Sequence, residues 1–279
     1  MGRELLGRGA AKRGVRWMRS FLLDRTTVVK WGDPESAGRV RSGKVSTSGV
    51  PQGSVAGPPA WSCYMRSLLD KLSRLEQVEC LCYADDLLLM TEVPLVADGT
   101  GKSECLQQAL DVVAEWGVEH NQTMSATKTN YVLLYGKEKF LQAPTIASTP
   151  IPYRPTPKFL GVTLDEGMTM SPHVDRAVER AEKRMRLVQR IARNTWGAKT
   201  RHLRQMYLGA VDPILYYCAG AWGPYAGASV RDRVDALQRR GARTILGLPA
   251  SAHGGLSLKE AQILPFRHRV DCLAASLVI

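Results

Sequence analysis

Apolar residues along the chain recur with two different periods. Over 104–120 they return three and four residues apart, at Leu106, Ala109, Leu110, Val113 and Trp116, which predicts a helix with one buried face. A helix over 12–24 precedes two β-like runs, 26–31 and 39–46, joined by a Gly-Asp-Pro turn at 32–34. A loop rich in Gly and Pro, 48–59, opens a helix running to about residue 74. Two short apolar runs, 78–84 and 87–90, then flank a pair of aspartates, the shape of a hairpin with charge at its tip. Strands are expected at 131–134 and 158–163, across a Pro-rich connection. After Pro172 the pattern turns helical. Val174, Ala177, Val178, Ala181, Met185, Val188 and Ala192 make one stripe, with Arg176, Arg180, Lys183, Arg184 and Arg190 off it. Further helices are expected over 200–210, 212–222, 229–246 and 256–263, and from 265 onward. The pattern describes an α+β fold with a boundary near 166–171, dividing a mixed segment 1–168 from an all-helical segment 169–279.

Charge adds a direction to this picture. The chain of 279 residues carries 38 Lys and Arg against 26 Asp and Glu, a net +12, which points to polyanionic partners. The surplus is uneven: 11 basic and 4 acidic side chains over 1–48, 9 and 14 over 49–170, 18 and 8 over 171–279. An acidic middle between basic arms suits a carboxylate site working on a strand of phosphates gripped from both sides. The six cysteines show no metal-binding spacing and read as reduced, mostly buried thiols of an intracellular chain, nuclear or cytoplasmic. No apolar run approaches the ~20 residues of a membrane span, so no membrane association is expected.

The candidate chemistry centres on Tyr83-Ala84-Asp85-Asp86. Two adjacent carboxylates stand where the pattern otherwise places apolar side chains, so their burial calls for compensation, and a divalent cation with its hard-oxygen preference supplies it. Upstream, Gly49-Val50-Pro51-Gln52-Gly53-Ser54 lies at the mouth of a helix, its glycines permitting close backbone approach to a ligand. Together these two segments closely resemble the reverse transcriptases of non-LTR (LINE-type) retrotransposons. Other pieces match in the same order: Trp17 to Leu22 with Arg25-Thr26, Lys128-Thr129, Phe159-Leu160-Gly161-Val162, Pro213 to Tyr217, Trp222, and Gln238 to Gly247.

The resemblance implies a partial palm, an antiparallel sheet packed on helices, followed by a helical thumb and C-terminal extension. It implies RNA-directed DNA synthesis with an RNA template, a DNA primer, deoxynucleoside triphosphates and Mg²⁺ or Mn²⁺. Asp85 and Asp86 take the place of the metal-binding aspartates. Gln52, Gly53, Ser54 and Tyr83 sit at nucleotide and template positions, Lys128 near the triphosphate as a proton donor to pyrophosphate, and Phe159, Leu160 and Gly161 in the primer grip. Arg176, Arg180 and Lys183 are the candidates for the nucleic-acid backbone. The family places a further metal-binding aspartate on a palm strand before the region aligned with 5–22, and the acids before Gly49, namely Glu4, Asp24, Asp33 and Glu35, do not match it. The expectation is therefore little or no polymerisation by this chain alone, unless a protein partner supplies that strand. The alternative reading is a non-catalytic RNA-binding or scaffold protein derived from such an enzyme.

Overall fold

The computed structural model describes residues 11–30, 40–46, 49–93, 103–135, 143–192 and 197–276. It is a mixed fold of helices and antiparallel two-stranded ladders, and it divides into two compact units. The described residues within Met1–Leu95, Lys102–Met124 and Pro144–Ser148 form the first, and the rest form the second.

In the first unit the helix Lys12–Leu22 leads into strands β1 (Arg25–Lys30) and β2 (Val40–Ser46), which pair antiparallel. The turn expected at 32–34 lies outside the described residues. The core is built where the helices Gly57–Leu72 and Glu104–Glu119 meet. Pro58 and Pro59 start the first of these, where missing amide donors cost nothing, so the helix begins inside the Gly- and Pro-rich stretch. Ser103 caps the second, its hydroxyl accepting from the Leu106 amide at 3.1 Å, with Glu104 in the first turn. Met65, Leu68 and Leu72 pack with Ala109, Leu110, Val113 and Trp116, all buried. Polar atoms in this layer find partners: Trp116 Nε1 donates to Ser67 Oγ at 2.9 Å, and Tyr64 Oη to the His120 carbonyl at 2.9 Å. Beside them β3 (Glu79–Tyr83) and β4 (Asp86–Met90) form the expected hairpin. The short strand β5 (Thr145–Ile146) also belongs to this unit, and β6 (Thr149–Pro150) to the second.

The second unit is dominated by the helices Ser171–Ile191, Thr200–Ala210 and Ala228–Leu246, closed by Gly254–Glu260 and Phe266–Ala275. The stripe read from sequence is the buried one: Val174, Ala177, Ala181, Met185 and Val188 face a core that includes Leu203, Tyr207, Leu215, Val234, Ile245 and Phe266. Asp165 shapes the approach to the long helix, accepting from the Thr169 amide and hydroxyl and the Met170 amide within 3.0 Å.

Four expectations need correction. The strand at 131–134 is a single bridge, Tyr131 to Tyr153, whose rings meet edge to face; burial and the hydrogen bond to Glu166 push the Tyr153 hydroxyl up to about 12. The run 158–163 is two strands, β7 (Lys158–Phe159) and β8 (Val162–Thr163), folded on a Leu160-Gly161 turn. The single helix over 212–222 is two short ones, Asp212–Leu215 and Ala219–Trp222, broken where Cys218 turns left-handed at φ +54°. That break carries Tyr217 out of the helical row toward the hairpin. None of the six cysteines is buried, and none is paired.

Candidate active site

The aspartate pair sits at the tip of the β3–β4 hairpin, Asp85 in its two-residue turn and Asp86 opening β4. Tyr83 pairs with Asp86, leaving Ala84 and Asp85 as the loop, and Ala84 adopts φ +53°, a conformation that costs an L-residue about 1–2 kcal/mol. Its carbonyl is held by Trp61, whose Nε1 donates to it at 2.6 Å. Trp61 lies in the first turns of the Gly57–Leu72 helix, so the helix that emerges from the Gly-rich loop also fixes the carboxylate turn.

Asp85, Asp86 and Tyr83 are all exposed. The expectation that the carboxylates are buried and need compensation is therefore overturned: this end of the hairpin is open to solvent, with Leu81 exposed as well. Behind the tip, burial first, and then the neighbouring Cys80 and Asp85, push the Cys82 thiol up. Its Sγ lies 3.5 Å from the Ala84 carbonyl, so it too touches the turn.

The Gly-rich segment forms a tight turn: the Ser54 hydroxyl and amide both donate to the Pro51 carbonyl, at 2.8 and 3.3 Å. Gln52 and Gly53 are exposed at its apex and Ser54 is half-buried. Gly53 has φ +78° with open space where a Cβ would stand, so here glycine serves the turn's backbone conformation rather than a close packing contact. Arg25 ties this segment to the preceding elements, its guanidinium donating to the carbonyls of Leu22 and Gly49.

The remaining candidates belong to the second unit. Lys128 is exposed on a turn closed by the Ser125 carbonyl, which accepts from the amides of Lys128 and Thr129. Phe159 and Leu160 are half-buried and Gly161 is exposed at the β7–β8 turn. Arg176 is committed to the base of this hairpin, NH1 donating to Thr163 Oγ1 at 2.9 Å, beside the Thr163 amide that donates to His173 Nδ1 at 3.3 Å. Burial holds the His173 imidazole below its ordinary pKa, with the Arg176 charge adding to the effect against an opposing backbone hydrogen bond.

Charge on the Ser171–Ile191 helix is sorted sideways. Its acids lie along one flank: Asp175 binds Arg233 and Glu182 binds Arg240, both arginines coming from the Ala228–Leu246 helix. Arg180 and Arg184 are exposed on the other flank and make no ion pair among the described residues, while Lys183 pairs with Glu179 at 2.7 Å. Elsewhere in this unit Asp212 is buried, and desolvation raises its carboxyl pKa against the opposing charge of Arg269, whose NH2 is 3.5 Å away.

Among the described residues no group of three or more His, Cys, Asp or Glu side chains is gathered as a metal cage. Asp85 and Asp86 nevertheless fit a divalent cation in kind, since Mg²⁺ takes hard oxygens, often one or two carboxylates completed by water and substrate phosphates. No described helix is long and apolar enough to cross a membrane.

Residues 6–164 match the family model for reverse transcriptase (RNA-dependent DNA polymerase). The chain belongs to this family. Its relatives are LINE-type elements. It is 33% identical, over 63% of its length, to the 115 kDa protein of the type-1 retrotransposable element R1DM of Drosophila melanogaster, covering 17% of that protein. It is 28% identical over 68% of its length to the Pol polyprotein of the R1 element of Nasonia vitripennis, covering 58% of it. The likeness to the RNA-directed DNA polymerase of the mobile element jockey of Drosophila melanogaster, 26% over 83% of the chain and 25% of the relative, necessarily runs past residue 164 into the helical end. The reverse transcriptase chain thus spans less than two thirds of each of these relatives. No solved structure matches it.

Sequence reasoning gave Trp61 and His173 no role and took Tyr217 only as part of a matching stretch. Each reaches a partner in another element through a polar atom, at separations of 23, 57 and 10 residues, and local periodicity carries no signal for that.

Proposed function

We propose that this chain is the part of an RNA-directed DNA polymerase that presents the metal-binding carboxylates, the Gly-rich loop and the primer-supporting hairpin, with 1–168 as a partial palm and 169–279 as thumb and extension. The observation that carries the reading is the Asp85-Asp86 pair, displayed on an exposed turn that Trp61 holds from the helix following the Gly-rich loop. In this reading Asp85 and Asp86 hold Mg²⁺ or Mn²⁺, which supplies activation of the primer 3′ hydroxyl and stabilisation of the leaving pyrophosphate. Gln52, Gly53, Ser54 and Tyr83 bound the nucleotide and template, and Lys128 gives a proton to pyrophosphate. Two carboxylates of one hairpin tip would leave coordination positions to fill, so further oxygen donors would come from the triphosphate and from another segment of a longer chain or a partner.

Primer extension on an RNA template, run with this chain alone and with a longer chain carrying the rest of a relative's polymerase, tests the reading. Extension is expected in the longer chain, and Asp85→Asn should lower it by about a thousandfold or more. Extension that is indifferent to Asp85→Asn sinks the assignment.

The sideways sorting of charge favours a second reading, an RNA-binding protein that does no chemistry. It requires tight, salt-sensitive RNA binding in a longer chain that extends no primer. Under either reading, replacing Arg176, Arg180 and Lys183 together should weaken RNA binding, the salt slope falling by roughly 0.7 for each phosphate no longer neutralised.

A further inference from the structure

The β7–β8 hairpin cannot stand by itself. Each strand has two residues, and its turn places both Leu160 (φ +45°) and Gly161 (φ +85°) in the left-handed region. That is the backbone of a tight hairpin turn, which asparagine or glycine normally occupies at the first position; leucine there is strained and has to be held. Tyr217 does the holding. Its Oη donates to the Leu160 carbonyl at 2.8 Å, and its ring lies over Gly161 so closely that a Cβ would stand 2.9 Å from Cε1 and 3.0 Å from Oη.

Tyr217 is itself fixed from behind. Its carbonyl accepts from Trp222 Nε1 at 2.9 Å, and Trp222 is buried with its ring edge-on to His173. The base of the hairpin is pinned by His173 and Arg176 through Thr163. The helical body therefore grips the hairpin at both ends, with Tyr217 at the tip. We propose that Tyr217 is the positioning residue of the Lys158–Thr163 hairpin, setting where the Leu160-Gly161 tip meets a primer strand. This rests on the reading of Phe159, Leu160 and Gly161 as the primer grip.

The test uses Tyr217→Phe, which removes one oxygen and keeps the ring. Two readouts are needed: amide hydrogen exchange over 158–163, and photocrosslinking from a 4-thiothymidine at the primer 3′ end of an RNA-templated duplex. Exchange over 158–163 should quicken roughly three- to tenfold, as expected for one lost hydrogen bond, while exchange over 228–246 stays the same. Crosslinks to 158–163 should fall severalfold while overall affinity for the duplex, read by anisotropy, changes less than twofold. Gly161→Ala, which pushes the ring away from the other side, should move both readouts in the same directions, with exchange quickening by more than for Tyr217→Phe.

Unchanged exchange over 158–163, or loosening spread across the whole helical unit, would overturn the assignment of Tyr217. So would quickened exchange with undiminished crosslinks. If exchange quickens but the unsubstituted chain binds the duplex and places no crosslink in 158–163, the clamp stands and the primer-grip reading falls.

Discussion

Two of the described hairpins solve one problem with different resources. Each turns on two residues, the first a non-glycine in the left-handed region, and each has that residue's carbonyl held by an aromatic side chain: Trp61 on Ala84 and Tyr217 on Leu160. The carboxylate hairpin has five-residue strands in full register and needs one latch. The other has two-residue strands and is anchored from outside at tip and base. Where the ladder is long, the turn can be left open to solvent with its charges displayed; where it is short, the surroundings set the position.

The sharpest way to break this contrast is Gly161→Ala. The added Cβ meets the Tyr217 ring at a left-handed φ, and a cost of about 2 kcal/mol is expected, seen as reduced amide protection over 158–163 with 79–90 untouched. Trp61→Phe removes only the indole N–H; it should cost about 1 kcal/mol and leave the β3–β4 ladder formed, with faster exchange confined to residues 83–86. Equal damage to both hairpins from these two substitutions would end the distinction.

Acid supplies a gentler probe. His173 titrates below its ordinary value of 6.5, so the fold favours the neutral ring. Its contribution is complete above that value and drains away as pH falls below it, since a protonated Nδ1 can no longer accept from the Thr163 amide. Exchange corrected for its intrinsic pH dependence should show 158–163 loosening on acidification, and His173→Gln should flatten that response. The smallest effect is expected from Ala84→Gly. It relieves the left-handed strain but adds freedom to the unfolded chain, a net gain of about 0.5 kcal/mol by thermal denaturation.

Most helices were legible because their stripes are their buried faces. The 104–120 pattern gives Glu104–Glu119, and the stripe from Val174 to Val188 is the face on the second unit's core. The carboxylate turn was legible in place but not in environment. A strand reading puts Asp85 and Asp86 among apolar neighbours, and only the folded hairpin, with Asp85 in its loop and Asp86 in its last pair, shows them exposed. The break at Cys218 was illegible for a different reason. Its local sequence suits a helix, and the left-handed residue goes with a contact that its neighbour Tyr217 makes to a hairpin 57 residues away.

The two ion pairs between the Ser171–Ile191 and Ala228–Leu246 helices are seven residues apart on both, Asp175 with Arg233 and Glu182 with Arg240. Seven residues is two helical turns, so the pairs work as a register lock between helices running in the same direction. Sliding one helix by a single turn, about 5.4 Å, would bring Arg240 level with Arg186 and Arg233 level with Glu179, so one of the two attractions would become a repulsion. The acids on this flank thereby choose one alignment of the helical body, and so determine how far along it the opposite flank carries Arg180 and Arg184.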